Sequence, residues 1–478
     1  MLLTLFPNER PTFTDAPPEG DGAVINLVSN ARFTCADTFL TLGGKTCKGS
    51  AQVPTDMLAD KLSTDSLLQK IVKLSFFRAA LAAGIKNPPW GALTGIRPGK
   101  IVTKLLESGK TPAEAERELT EGYYVAHERA ELCLDTSAAG LRVKNALEPD
   151  DICLYIGVPF CPTRCSYCSF VSHSVEKSMK LIAPYVENLI LEIEEAGKLA
   201  REVGSRVIAV YFGGGTPTTL SAEQLTELHK AIERSFDLSS VREYCVEAGR
   251  PDTITPERLD ALKAFGVNRI SINPQTMEDT VLEAIGRKHT AKQTADAFEL
   301  AAKYSFDCVN ADLIAGLPED SAEGFRRSLD AVLSFAPENV TVHNLALKRG
   351  ARLGGQSEMK LPSVDAIGEM LDYTMSTLRA HSYTPYYLYR QKFMAGGFEN
   401  VGWALPGKES LYNICIMEEL CTILALGGGG VSKLVNAKTG RIERIFNPKY
   451  SYEYVRGIDK ILADKAKFRD FVLSKAKS

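Results

Sequence analysis

From Asp151 onward the chain alternates short β-branched runs with longer amphipathic segments, and this alternation restricts the fold more than any other feature. The runs read DICLYIGV, RVIAVYFG, REYCVEAG, VNRISINP, DCVNADLI and NVTVHNLAL, which makes six strands. Between them lie helical patterns such as PERLDALKAFG and AEQLTELHKAIERSF, the second opened by Ser221 with Gln224 three residues on, as a capping box requires. Strands joined in this way form a parallel sheet with crossover helices. Periodicity does not choose between a doubly wound sheet and a barrel-like one, complete or partial. In either, ligands gather at the carboxyl ends of the strands.

Those ends carry polar residues that a purely structural sheet does not need, since each must find a partner once buried. Cys161 follows the first strand, and Gly213, Gly214, Gly215 and Thr216 follow the second. Glu247 ends the third, Gln275 the fourth and Asp312 the fifth, while His343 and Asn344 close the sixth. Turn and cap roles account for any one of them. Six ends of this kind on one face point to a site.

Cys161, Cys165 and Cys168 form CxxxCxxC directly after the first strand, within VPFCPTRCSYCSF. Thiolates at this spacing can converge on zinc, copper(I) or an iron-sulfur centre. Three ligands on a centre that takes four leave one position open, as in catalytic metal sites. The alternative is a closed structural zinc with His173 as fourth ligand, which spacing alone permits.

The rest of the chain sets boundaries. Residues 1–148 read as an N-terminal α+β domain without a catalytic constellation, with a helix opened by Thr111, Pro112 and Glu114. The GGKT at 43–46 is no phosphate loop, because Phe39 stands where the earlier glycine is needed. Residues 149–355 hold the α/β core and 356–478 a mostly helical region covering the substrate. Gly427 to Gly430 are expected to follow an apolar helix, either as a cap or as a loop closing over a ligand. The tail from Lys449, with eight basic and four acidic residues, reads as a packed terminal helix with a solvated face. A balance of 56 basic against 59 acidic residues argues against nucleic acid as a partner. No apolar run approaches a membrane span, and Pro7, Asn8, Glu9 and Arg10 cut short the opening MLLTLF. With eleven scattered cysteines, these features predict a cytoplasmic protein with reduced thiols.

CxxxCxxC after one strand and YFGGGTP after the next resemble the radical S-adenosylmethionine superfamily. The order YIGVPFCPTRCSYCSF, YFGGGTPTTL, VEAGRPDTIT, RISINPQTM, IGRKHT, NADLIAGLP and TVHNLALKRG resembles oxygen-independent coproporphyrinogen III dehydrogenases over about residues 150–350. LTGIRPGK at 93–100 is similar to a long-N-terminus subgroup, and YYLYRQKFMAGGFENVGW at 386–403 to the enzymes of the family. The resemblance implies a partial (βα)6 TIM-like barrel and a 4Fe-4S cluster on Cys161, Cys165 and Cys168. Its open iron would chelate S-adenosylmethionine, cleaved reductively to a 5'-deoxyadenosyl radical. By motif position, Tyr155, Gly214 and Glu247 would contact that molecule. Tyr167, Gly215, Thr216, Gln275, Arg287, Asp312 and Ala346 would line an adjoining site, which in the family holds a second S-adenosylmethionine.

The activity implied is oxidative decarboxylation of two propionates of coproporphyrinogen III to vinyls, giving protoporphyrinogen IX in haem biosynthesis, with an unidentified electron donor and acceptor. No side-chain base can remove an unactivated propionate β-hydrogen, so the cofactor must carry the hard step. Arg349, Arg352, Arg390 and Lys392 are candidates for the substrate carboxylates. One departure brings a haem chaperone of the same family into play, and a second leaves the chaperone pattern only half met. Family dehydrogenases carry a cysteine where Phe170 stands, as it does in the chaperones; the chaperones' HNxxYW motif has its nearest counterpart in SLYNICIMEE around Asn413, without the histidine and tryptophan.

Overall fold

The computed structural model describes the chain outside residues 7–8, 10–11, 15, 59–60, 170–172, 347–359, 392–393 and 476–478, and outside the side chains at 3, 61–63, 173–177 and 395. Phe170, Arg349, Arg352, Lys392 and the His173 side chain thus lie outside the described residues. The chain divides into two compact units, Met1–Leu134 with Gly396–Phe398, and Asp135–Ala395 with Glu399–Ser478.

In the first unit, β1 (Gly22–Ser29), β2 (Phe33–Leu42) and β3 (Lys45–Pro54) form an antiparallel sheet. Every second residue of β2 and β3 is turned inward, so Ala36, Ala51 and Val53 meet Leu74 and Phe77 of helix α1 (Lys61–Ala82). Gly43 and Gly44, both at positive φ (56° and 77°), make the tight turn from β2 to β3. That hairpin is what the GGKT encodes. Further on, Thr111 and Glu114 form the expected capping box.

The second unit contains the six expected strands: β4 (Asp151–Val158), β5 (Arg206–Gly214), β6 (Glu243–Val246), β7 (Arg269–Gln275), β8 (Cys308–Ala315) and β9 (Asn339–Asn344). They lie side by side in chain order, all parallel. The crossovers run through α2 (Val175–Glu202), α3 (Ala222–Ser235), α4 (Pro256–Ala264), α5 (Ala291–Ala302) and α6 (Ala322–Ser334). Leu154, Ile156, Val210, Ile270, Ile272, Leu313 and Val340 are buried, as strands covered on both faces require. Each such side chain contributes about 1.5–3 kcal/mol relative to exposure. Six parallel strands in chain order with crossover helices are the arrangement expected of a partial (βα)6 barrel. Among the described residues no helix is long and apolar enough to cross a membrane.

The C-terminal region has more helix than strand, in α7 (Val364–Ala380), α8 (Leu411–Glu418), Ser451–Arg456 and α9 (Ile458–Lys475). It also adds five strands that the sequence reading did not separate: β10 (Thr384–Arg390), β11 (Glu399–Ala404), β12 (Thr422–Leu426), β13 (Val431–Val435) and β14 (Ile442–Phe446). The sheet order is β10-β11-β9-β8-β7-β6-β5-β4-β12-β13-β14, with β12 parallel to β4. Gly427 to Gly430 therefore follow a strand and not a helix. Helix α8 stops at Glu419, whose φ of 57° turns the chain, and the apolar TILAL then runs as β12.

Candidate active site

The cysteine loop leaves the sheet at the end of β4 and is stitched to the glycine turn that ends β5. The Gly215 amide donates to the Val158 carbonyl at 2.8 Å and the Thr216 amide to the Phe160 carbonyl at 2.7 Å. A Cβ on Gly215 would lie 2.5 Å from the Phe160 carbonyl oxygen, closer than real side chains come, so glycine is what lets the two segments touch. Thr216 Oγ1 donates to Cys161 Sγ at 3.6 Å. Farther along the loop, Arg250 donates to Thr163 Oγ1 at 2.9 Å while forming two 2.9 Å bonds to Asp252. The fixed fork of Arg250 thus holds the cysteine loop against the end of the sheet.

Beyond the strand ends lies a cavity of about 570 Å³. Cys161, Cys165, Cys168, Tyr155, Tyr167, Gly214, Gly215, Thr216, Glu247, Gln275, Arg287, Asp312 and Ala346 all line it, with His343 and Asn344. Every residue carried over by motif position is brought to this one space. Arg390 is 8% exposed and is not part of the wall.

Several lining residues lay outside the sequence reading. Tyr211 and Tyr412 stack at 4.3 Å between ring centres beside Tyr155, and Tyr387 and Tyr389 face the same space. Ser271, Asn273, Asn310 and Thr341 form a hydrogen-bonded floor with Asp312: Asn310 donates to Asp312 Oδ1 at 2.7 Å and Thr341 to Asn310 Oδ1 at 3.2 Å. A sequence signal for them existed. Residues 271, 273 and 275, 310 and 312, and 341 and 343 are polar at a spacing of two within apolar strands, and that period places them on one face.

Electrostatics distinguish the charged groups. Burial pushes the Glu247 carboxyl up to about 7, helped by Asp312 and opposed by the Tyr211 hydroxyl, which donates to it at 2.5 Å. Burial alone would lower Arg287, but Tyr167 and Cys165 outweigh it and keep the guanidinium charged. Arg287 donates to the Asn273 carbonyl at 2.6 Å and to Tyr167 at 3.1 Å. Its Nε, like Gln391 Oε1, is buried with no protein partner among the described residues, which leaves bonding capacity for a ligand.

The donor set fits a soft metal centre: three cysteines on one loop, none in a disulfide, two of them half-buried and all lining the cavity. Among the described residues the only three ligand atoms lying mutually within 4.8 Å belong to another set, Cys153, Cys415 and Cys421. The sulfurs of Cys161, Cys165 and Cys168 are spread more widely. A single zinc ion needs its sulfurs about 3.8 Å apart, from a metal-sulfur bond of about 2.3 Å. A cube whose corners are separate irons needs them farther apart.

The Radical SAM superfamily model matches residues 155–332, which contain the three cysteines and the strand ends. Over 395 residues the chain is 39% identical to the oxygen-independent coproporphyrinogen-III oxidase-like protein HemZ of Bacillus subtilis, covering 81% of this chain and 78% of that one. The chain belongs to the radical SAM coproporphyrinogen oxidase-like family. Membership implies a 4Fe-4S cluster and S-adenosylmethionine. Within this family, the heme chaperone HemW of Bacillus subtilis is 34% identical over 251 residues, 52% of this chain and 64% of the chaperone, so that match spans less than two thirds of the relative. The fold of the family is seen in coproporphyrinogen III oxidase (HemN) from Escherichia coli, at a TM-score of 0.53, 24% identity, and coverage of 67% of this chain and 72% of that one.

Proposed function

We propose that this protein is an oxygen-independent coproporphyrinogen III dehydrogenase, converting two propionates to vinyls in the cytoplasm. The observation that carries the reading is the convergence of the cysteine loop and all six strand ends on one cavity with a tyrosine wall and a polar floor. Cys161, Cys165 and Cys168 would hold the 4Fe-4S cluster. Bound there with S-adenosylmethionine, it would supply hydrogen-atom abstraction at a carbon too weakly acidic for any side-chain base to deprotonate.

The chain's own residues bind, orient and exclude. Tyr155, Gly214 and Glu247 would contact the cluster-bound S-adenosylmethionine, with the Tyr211 hydroxyl fixing the Glu247 carboxyl. Tyr167, Gly215, Thr216, Gln275, Arg287, Asp312 and Ala346 would line the adjoining site for a second molecule. Among the described residues Arg250, Arg287 and Lys433 are the Arg and Lys side chains of the wall, and Arg287, whose Nε has no protein partner there, is suited to a carboxylate. Tyr211, Tyr387, Tyr389 and Tyr412 keep water from the reacting carbon. The electron left after loss of carbon dioxide passes to an acceptor outside this chain.

A second reading, a haem chaperone, is favoured by one observation: Tyr412 and Asn413 of SLYNICIMEE line the same cavity. The two separate in one experiment. Reduced, cluster-reconstituted protein is incubated without oxygen with S-adenosylmethionine and coproporphyrinogen III, and products are followed by mass. Decarboxylated product, lost in C161A, C165A and C168A, supports the dehydrogenase. Stoichiometric haem binding without product would assign the chaperone role, and zinc in place of iron would remove both.

A further inference from the structure

Cys153, Cys415 and Cys421 lie far apart in sequence and outside every motif discussed above. Cys153 is in the middle of β4, Cys415 is on α8, and Cys421 immediately precedes β12. The left-handed turn at Glu419 brings Cys421 back onto the end of α8, and the pairing of Ile423 with Cys153 sets its height along β4. All three are buried, at 0%, 0% and 7% exposure. They sit among Ile208, Ala209, Tyr412 and Ile423. Cys153 Sγ and Cys421 Sγ are 3.7 Å apart, and all three sulfurs lie within 4.8 Å of one another.

We propose that Cys153, Cys415 and Cys421 form a binding site for one soft closed-shell metal ion, zinc(II) or copper(I), separate from the cysteine loop at the cavity. Three metal-sulfur bonds of about 2.3 Å put the sulfurs about 3.8 Å apart in tetrahedral and about 4.0 Å apart in trigonal geometry, close to the 3.7 Å between Cys153 and Cys421 and within the 4.8 Å that bounds all three pairs. A disulfide is absent at this separation. Cysteines acting only as small apolar side chains have no reason to point three sulfurs at one spot from three elements. On binding, the three thiol protons leave and the cation offsets part of the thiolate charge, all but one unit for zinc(II) and all but two for copper(I). Because Tyr155 and Tyr412 extend from the same two elements into the cavity wall, a bound ion would brace that wall.

The test uses the full-length C161A/C165A/C168A variant, so that the loop thiols cannot contribute, loaded without oxygen with one equivalent of zinc(II) or copper(I) and passed through gel filtration with a chelator. About one equivalent per chain should remain, with a sulfur-to-metal charge-transfer band when copper is bound. Adding C421A or C415V should lower retention at least tenfold, while C245A, a buried cysteine outside the trio, should leave it unchanged. Copper kept and zinc lost identifies a three-coordinate site; zinc kept identifies one completed by a fourth ligand; both support the proposal. Loss of both ions, or retention indifferent to C421A and C415V, overturns it. Should those variants not fold by circular dichroism, X-ray absorption of the loaded parent decides: three sulfur neighbours at about 2.3 Å support the site, and nitrogen or oxygen neighbours overturn it. None of these readings uses the iron content of the native chain, so this proposal and the dehydrogenase reading fail independently.

Discussion

Lys465 sits on the terminal helix α9, yet it is 1% exposed, and its ammonium lies 2.7 Å from Oε1 of Glu192, which is fully buried on α2. Glu192 also accepts from Asn447 Nδ2 at 2.7 Å, from the Gly427 amide at 2.8 Å and from Tyr454. Lys465 further donates to the Ala425 carbonyl at 2.9 Å and to Asn447 Oδ1 at 3.2 Å. The pair therefore joins two helices to the glycine loop after β12. Removing one partner leaves the other as an uncompensated buried charge, which costs about 3–5 kcal/mol. Lys465→Met and Glu192→Gln should each destabilise the second unit by that much. In the double variant no buried charge remains, and the side-chain amide introduced by Glu192→Gln still offers an acceptor to the Gly427 amide. Its loss should be about 1–2 kcal/mol, so the two substitutions together cost less than either alone.

The assay is urea unfolding in a Trp90→Phe background, which leaves Trp403 of β11 as the reporter of the second unit. A cycle of parent, two singles and double gives the coupling energy. A coupling of at least about 3 kcal/mol is expected. A Lys465→Met loss below about 1 kcal/mol, or a double variant whose loss equals the sum of the singles, would refute the buried-pair argument.

Glu247 gives a pH signature in ligand-free protein. Its folded value is raised from the ordinary 4.5 to about 7, so its contribution is fully present below 4.5 and is lost as pH rises through about 7; at about 1.4 kcal/mol per unit this is about 3 kcal/mol. Glu247→Gln should flatten that slope in denaturation curves between pH 5 and pH 8, and an unchanged slope would point to another group. Gly215→Ala drives a methyl into the Phe160 carbonyl and should cost about 1–3 kcal/mol while lowering iron retained per chain after reconstitution; full iron content would show that the cysteine loop does not depend on this contact. Arg250→Lys removes the two-bond grip on Asp252 and should also lower iron retention, with little change in the far-ultraviolet circular dichroism spectrum. Equal iron in the variant and the parent would end its assignment as a positioning residue.

What the sequence made legible follows from the length scale of each signal. The six barrel strands could be read because each is a β-branched run bounded by a helix of its own, and their ends because polar residues there break an apolar pattern. The five later strands were hidden for local reasons. TILAL is four apolar residues after a threonine, without a period, Pro385 interrupts TPYYLYR, and the break between α8 and β12 rests on one left-handed Glu419. The tail read as a packed helix with a solvated face because a helix with charges every few positions ordinarily has a wet side, and only the opposing Glu192, 273 positions earlier, makes the burial of Lys465 possible. The trio of Cys153, Cys415 and Cys421 joins residues up to 268 positions apart, so no spacing rule could find it. The period of two within β7, β8 and β9 was visible in the sequence, and it carries the most for function. A barrel strand that needs only to pack has no use for serine, asparagine and threonine pointing inward. Their presence on three adjacent strands means that the barrel interior is shaped to hold something polar before any cofactor is considered.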